Sequence, residues 1–186
     1  MSESCRCRLV HNPAFLMPSP APVTRRGVVF SPCGTWRYTL ERGWDAGPAC
    51  LFIMLNPSTA DFQSDDPTVA KCQRYARRWG YGRLTVANIF ALRSTDPRAL
   101  YSHTDPVGPD NDGWIARLAA DASFIVCAWG THGAYQDRGL AVARALATRY
   151  DLHALAITKD GHPGHPLYLP ESSIPTKWAP PEQECL

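Results

Sequence analysis

"CLFIMLNPSTADFQSDDPTVAKCQRYARRWGYGRLTVANIFAL", residues 50–92, decides the fold. Cys50 to Leu55 is a continuous apolar run, which marks a strand covered on both faces. The run breaks into Asn56-Pro57-Ser58, and three aspartates follow, Asp61, Asp65 and Asp66. Asp66-Pro67 has the form of a helix N-cap with proline in the first helical position. The helix is expected to run to about Trp79 and stop at Gly80, before a second buried strand from Arg83 to Leu92. A strand, a helix and another strand of this kind imply a parallel pair joined by a crossover.

The same alternation continues downstream. Asp110 to Ala120 reads as a helix with Trp114, Ile115 and Leu118 as its apolar face, and Ser123 to Trp129 as a third strand. Arg138 to Tyr150 is a helix rich in alanine and leucine, and Leu152 to Thr158 a fourth strand. Upstream, Val28–Phe30 and Trp36–Arg42 read as a hairpin around Pro32–Gly34, with Trp36, Tyr38 and Leu40 alternating toward one face. The expected fold is therefore α/β, with a parallel sheet carrying helices on both faces and an N-terminal β-hairpin. With 186 residues the chain suits one domain, expected over residues 26–178, between a loosely ordered proline-rich tail (1–25) and a frayed end (179–186).

Composition narrows the class further. Hydrophobic residues make up 45% and charged residues 19%, which is a globular balance, and the formal charge of +2 neither demands nor excludes a nucleic-acid partner. The seven cysteines are odd in number and scattered, and Cys5-Arg6-Cys7 lacks the second pair that a zinc site needs. Reduced thiols and a cytoplasmic location are the expectation. No apolar stretch is long enough to span a membrane, and the opening residues, broken by prolines, do not read as a signal peptide.

In an open α/β sheet, ligands bind beyond the carboxyl ends of the strands. Asn56, Ser58 and Asp61 follow the first strand; Asn88 and Arg93 end the second. Trp129, Gly130, Thr131 and His132 follow the third; Lys159, His162 and His165 follow the fourth. Asn88 sits inside an apolar strand, so its amide either ties down a neighbouring loop or offers a donor and acceptor to the edge of a heterocycle. Asn56 reads either as a turn former or as part of a site. Asp66 has a capping role, and a solvated acidic loop accounts for Asp61 and Asp65. The two histidines of "GHPGHPLYLP" precede prolines, which block the helix that would align them on a metal. A loop histidine donating to a developing anion is the functional alternative to a plain surface turn.

"FSPCGTWRYTLERGW", "LFIMLNPSTADFQSDDPT", "WGYGRLTVANIFALRSTDP" and "HPLYLP" resemble the bacterial family known as domain of unknown function 1643, over about residues 28–170. More distantly, the order of signals resembles the uracil-DNA glycosylase superfamily. Its first strand ends in a short polar motif, to which Leu55-Asn56-Pro57-Ser58 is similar. A later strand carries a base-reading asparagine, matched by Asn88; another ends in Trp-Gly, matched by Trp129-Gly130. A final His-Pro motif is matched by His165-Pro166-Leu167, or less well by His162-Pro163. No Ser-Pro follows either histidine, and no cysteine set for an iron–sulfur cluster is present.

That resemblance implies a three-layer α/β/α domain with a central four-stranded parallel sheet. It implies a nucleobase-recognising protein that hydrolyses an N-glycosidic bond in DNA or a nucleotide. Asn56 would orient water and His165 would stabilise the departing base. Asn88 would read the base, which would stack on Phe62 or Phe90 beside Trp129. Ser58, Arg93, Thr131 and Lys159 would contact phosphate. No metal or organic cofactor, no membrane and no obligate protein partner is implied. The rival readings are a non-catalytic module binding a modified base or nucleotide, and a metal-dependent nuclease or phosphatase using Asp61, Asp65 and His165.

Overall fold

The computed structural model describes residues 25–182. The tail expected over 1–25 lies outside them except for Arg25, as do Cys5, Cys7 and Cys185. In chain order the elements are β1 (Arg25–Phe30), β2 (Arg37–Gly43), β3 (Ala49–Met54), α1 (Pro67–Arg78), β4 (Arg83–Asn88), α2 (Ala99–Ser102) and α3 (Asn111–Asp121). Then follow β5 (Phe124–Cys127), a 3-10 stretch (Thr131–Asp137), α4 (Arg138–Ala147), β6 (Leu152–Ala154), a 3-10 turn (Pro166–Tyr168) and β7 (Thr176–Lys177). No helix among the described residues is long and apolar enough to cross a membrane.

The fold is a mixed α/β domain built on one seven-stranded sheet in the order β1-β2-β4-β3-β5-β6-β7. The expected four-strand sheet is thus the middle of a larger one. β4, β3, β5 and β6 pair in parallel, while β2 and β1 add antiparallel strands on one side and β7 on the other. Every residue of β3 is buried, as its unbroken apolar sequence requires. Alternate residues feed two cores. Cys50, Phe52 and Met54 join Val69, Cys72, Tyr75 and Ala76 of α1. Leu51 and Ile53 join Ile115 and Ala119 of α3 and Val142, Ala143 and Leu146 of α4.

Several expectations shift in detail. The buried face of α3 is Asn111, Ile115 and Ala119, with Trp114 only partly buried. The fourth strand stops at Ala154, because residues 155–158 turn back and Thr158 N–H donates to His162 C=O at 2.8 Å. β2 does not alternate: Arg37, Tyr38, Thr39 and Leu40 are all buried. The strand lies inside the sheet, and its pairing with β1 slips so that Val29 opposes Thr39 while Phe30 opposes Arg37. That bulge leaves Tyr38 as the extra residue and turns Arg37 inward.

Candidate functional site

The chain leaves β3 toward α1 on one face of the sheet and leaves β5 toward α4 on the other. Adjacent parallel strands whose connections diverge in this way open a crevice at their carboxyl ends. A cavity of about 540 Å³ lies there. Met54, Leu55, Asn56 and Ser58 line it from β3, Ser94 and Thr95 from beyond β4, Trp129 to His132 from β5, and Thr158, Gly164, His165 and Leu167 to Leu169 from beyond β6. Arg37, Asp66, Thr68 and Pro97 complete the wall. The volume suits one small ligand of nucleotide size.

The walls are stitched together by named contacts. Asn56 Nδ2 donates to Ser94 C=O at 2.8 Å and Pro57 C=O at 3.2 Å, tying the β3 and β4 loops. Carbonyl partners fix the amide orientation, so Oδ1 remains the acceptor with no part in this tie. Gly130 N–H donates to Pro163 C=O at 2.8 Å, joining the β5 loop to the histidine loop. Gly130 has φ +74°, a left-handed conformation that favours glycine, while a Cβ there would meet His165 Cβ only at an ordinary contact of 3.5 Å. From α1, Lys71 Nζ donates to the Leu167 and Leu169 carbonyls and Tyr75 Oη to Pro170 C=O at 2.5 Å. Helix and histidine loop are therefore held as one wall.

His165 is the most informative group. Its Nδ1 accepts from Leu167 N–H at 3.4 Å, the cap of the 3-10 turn. An accepting Nδ1 puts the proton on Nε2. Burial pushes its pKa below the usual histidine value, with Asp66 partly opposing, so the ring is neutral at pH 7. His162 is buried and does not border the cavity, so of the two histidines only His165 faces it.

Of the residues singled out in the sequence, Asn56, Ser58, Trp129, Thr131 and His165 border this one cavity. Trp129 borders the cavity but is only 1% exposed, its ring lying in the α3–α4 core against Trp178. Asn88 does not border the cavity: it is 1% exposed with Oδ1 unpartnered. The loop-tying asparagine is instead Asn111, whose Nδ2 donates to the Asn88 and Ile89 carbonyls at 2.9 and 3.1 Å. Phe90 is core, packed near Tyr135, and Phe62 is exposed away from the cavity. Lys159 is exposed on the turn beside Thr158. Arg93 lines a neighbouring depression that shares Ser58, Ser94 and Thr95 with the cavity, its guanidinium 4.7 Å from the Phe30 ring centroid. His132, noted in the sequence beyond the third strand, also lines the cavity, whereas sequence reasoning missed Arg37 and Tyr168 there. Tyr168 is 82% exposed, and this aromatic beside a candidate histidine was legible in "HPLYLP".

The three aspartates are structural. Asp61 Oδ1 accepts from the backbone N–H groups of Gln63 and Ser64 and from the Ser64 hydroxyl, at 2.8, 2.8 and 3.0 Å, which lowers its pKa. Asp65 receives Arg26 at 2.9 Å, Arg42 at 2.7 Å and Gln73 at 2.7 Å, knotting β1, β2 and α1 together. Asp66 caps α1 by accepting from Val69 N–H at 2.8 Å. Among the described residues no group of three His, Cys, Asp or Glu is placed to hold a metal ion.

The chain belongs to the family described as "protein of unknown function (DUF1643)", whose model matches residues 37–167, a span containing Arg37, Asn56 and His165. No curated protein and no solved structure matches it.

Proposed function

We propose that the cavity binds a nucleobase and that the protein hydrolyses an N-glycosidic bond, with DNA or a nucleotide as substrate. The finer fold reading, a uracil-DNA glycosylase-like three-layer arrangement, belongs to the same proposal, as does a cytoplasmic location. The observation that carries it is His165: a neutral imidazole with Nδ1 occupied and Nε2–H available, bordering a cavity it shares with Asn56. In this reaction the C1′–N bond breaks and its electron pair leaves with the base. Nε2–H of His165 donates to the base as negative charge develops, and water oriented by Asn56 Oδ1 adds at C1′. The proton that the water loses on adding to C1′ restores the one given up to the base, so His165 ends neutral and the products are the neutral free base and a sugar hemiacetal. Base recognition falls to groups that line the cavity, not to Asn88, Phe62 or Phe90.

The test is release of free base from single-stranded DNA, duplex DNA, RNA and mononucleotides, with normal and modified bases. Release is expected from at least one, slowed about 100- to 1,000-fold by His165→Ala, the usual loss when one such donor is removed. Asn56→Ala should slow it as well, by misplacing water. An amide orients water less strongly than a carboxylate would. Tight base-specific binding without release would therefore convert the reading to a non-catalytic binding module.

A further inference from the structure

Two arginines of β2 are buried, and they are treated differently. Arg42, 3% exposed, is satisfied within the fold: Nε donates to Asp65 at 2.7 Å, Nη1 to Glu41 C=O at 2.9 Å, and Nη2 to the Asp61 and Ser64 carbonyls. Arg37 is 1% exposed and forms no ion pair among the described residues. Nη1 donates to Ala60 C=O at 2.5 Å, while Nε is buried with no partner. A buried cation without a counter-ion is costly, and a fold retains one only where something answers the charge. Burial pushes the Arg37 pKa down to about 10; Asp66 and Asp61 act against this, Arg93 and Arg42 with it. Even so, Arg37 is cationic at neutral pH. Asp66, the carboxylate acting on it most, is engaged with Val69 N–H and stands beyond ion-pair distance. Arg37 borders the same cavity as Asn56 and His165.

We propose that Arg37 is the counter-ion of an acidic group on the ligand, and that the substrate of this cavity is a phosphate-bearing mononucleotide. This rests on the nucleobase reading for the rest of the ligand. A guanidinium presents a planar fork of donors suited to two phosphate oxygens at once. A site this far inside the protein, on a cavity of about 540 Å³, suits a terminal phosphate on a single nucleotide. The exposed Arg93 and Lys159 would be steering charges at most, since screened surface cations contribute little to binding.

The experiment is calorimetric titration of the full chain with each nucleoside, its 5′- and 3′-monophosphate, and inorganic phosphate. Wild type should bind a monophosphate at least about tenfold more tightly than the matching nucleoside, since hydrogen bonds to charged groups are worth at least that factor. Arg37→Met should remove that preference, and Arg37→Lys, which keeps the charge but loses the fork, should retain part of it. Circular dichroism identifies which variants fold; the wild-type comparison needs neither. Equal affinity for nucleoside and monophosphate, or a folded Arg37 variant that keeps the full preference, overturns the anion site and leaves the nucleobase reading standing. Phosphate binding that depends on Arg37, with no nucleotide bound, supports the anion site and sinks the nucleobase reading.

Discussion

Replacing Asp65 with alanine should unfold the protein more easily without entering the chemistry. Among the described residues Asp65 is the one carboxylate paired with Arg42, which is 3% exposed, and it also holds Arg26 and Gln73. Removing one partner of a buried pair typically costs about 3–5 kcal/mol. The Asp65 side chain is 23% exposed and Arg42 keeps its carbonyl acceptors, so the expectation is the lower end, about 3 kcal/mol. For a chain of this size that lowers Tm by about 6–12 °C. Urea and thermal unfolding followed by circular dichroism measure it. Adding Arg42→Met to Asp65→Ala should recover part of the loss, because the stranded charge is then gone. Stability within about 0.5 kcal/mol of wild type would refute the structural role. Unchanged stability with a chelator-sensitive activity abolished would instead favour the metal-dependent nuclease reading.

Gly133→Ala should destabilise by at least about 1–3 kcal/mol in urea unfolding, because a Cβ there would sit 2.0 Å from Trp129 Cδ1 and overpack the core beside the cavity. Cys33 should be the fastest-alkylated thiol among the described residues in a mass-spectrometric time course. Hydrogen bonding with Ser31 and Thr35 brings its pKa down to about 7, whereas Cys50, Cys72 and Cys127 are buried with pKa values raised by desolvation. His165 should make the fold acid-sensitive. Its pKa is depressed by burial, so its stabilising contribution is complete above the unfolded value of about 6.5 and is lost as pH falls through the folded one. Urea unfolding at about pH 7.5 and about pH 5.5 should accordingly show a smaller acid loss for His165→Gln than for wild type.

How much was legible in the sequence depended on local signals. β3 and α1 were readable because an unbroken apolar run ended in a polar turn and Asp66-Pro67 marked the cap, which the structure bears out through Val69 N–H. β7, two residues long, has no periodicity to read. Asn56, Trp129 and His165 could be paired with strand ends before any coordinates, since the topology rule alone sends those ends to one crevice. Arg37 could not, because its inward turn comes from a register slip against β1, and Trp36, Tyr38 and Leu40 mimic a clean alternation that puts it outside. Asn88, by contrast, is prominent in the sequence but does not border the cavity. A polar residue in an apolar strand signals burial, but not whether its side chain reaches a cavity: Asn111 of α3 bonds the Asn88 backbone carbonyl, and the Asn88 Oδ1 is buried without a partner.

The most direct test is the ¹⁵N spectrum of the histidine rings, recorded while a nucleoside monophosphate panel is added to the full chain. The account predicts that free His165 is neutral with its proton on Nε2, and that one of the nucleotides shifts the His165 signals while leaving those of His153, which pairs with Lys177 in the sheet, in place. A proton on Nδ1 in the free protein, or a panel in which every nucleotide leaves His165 unmoved, would contradict it.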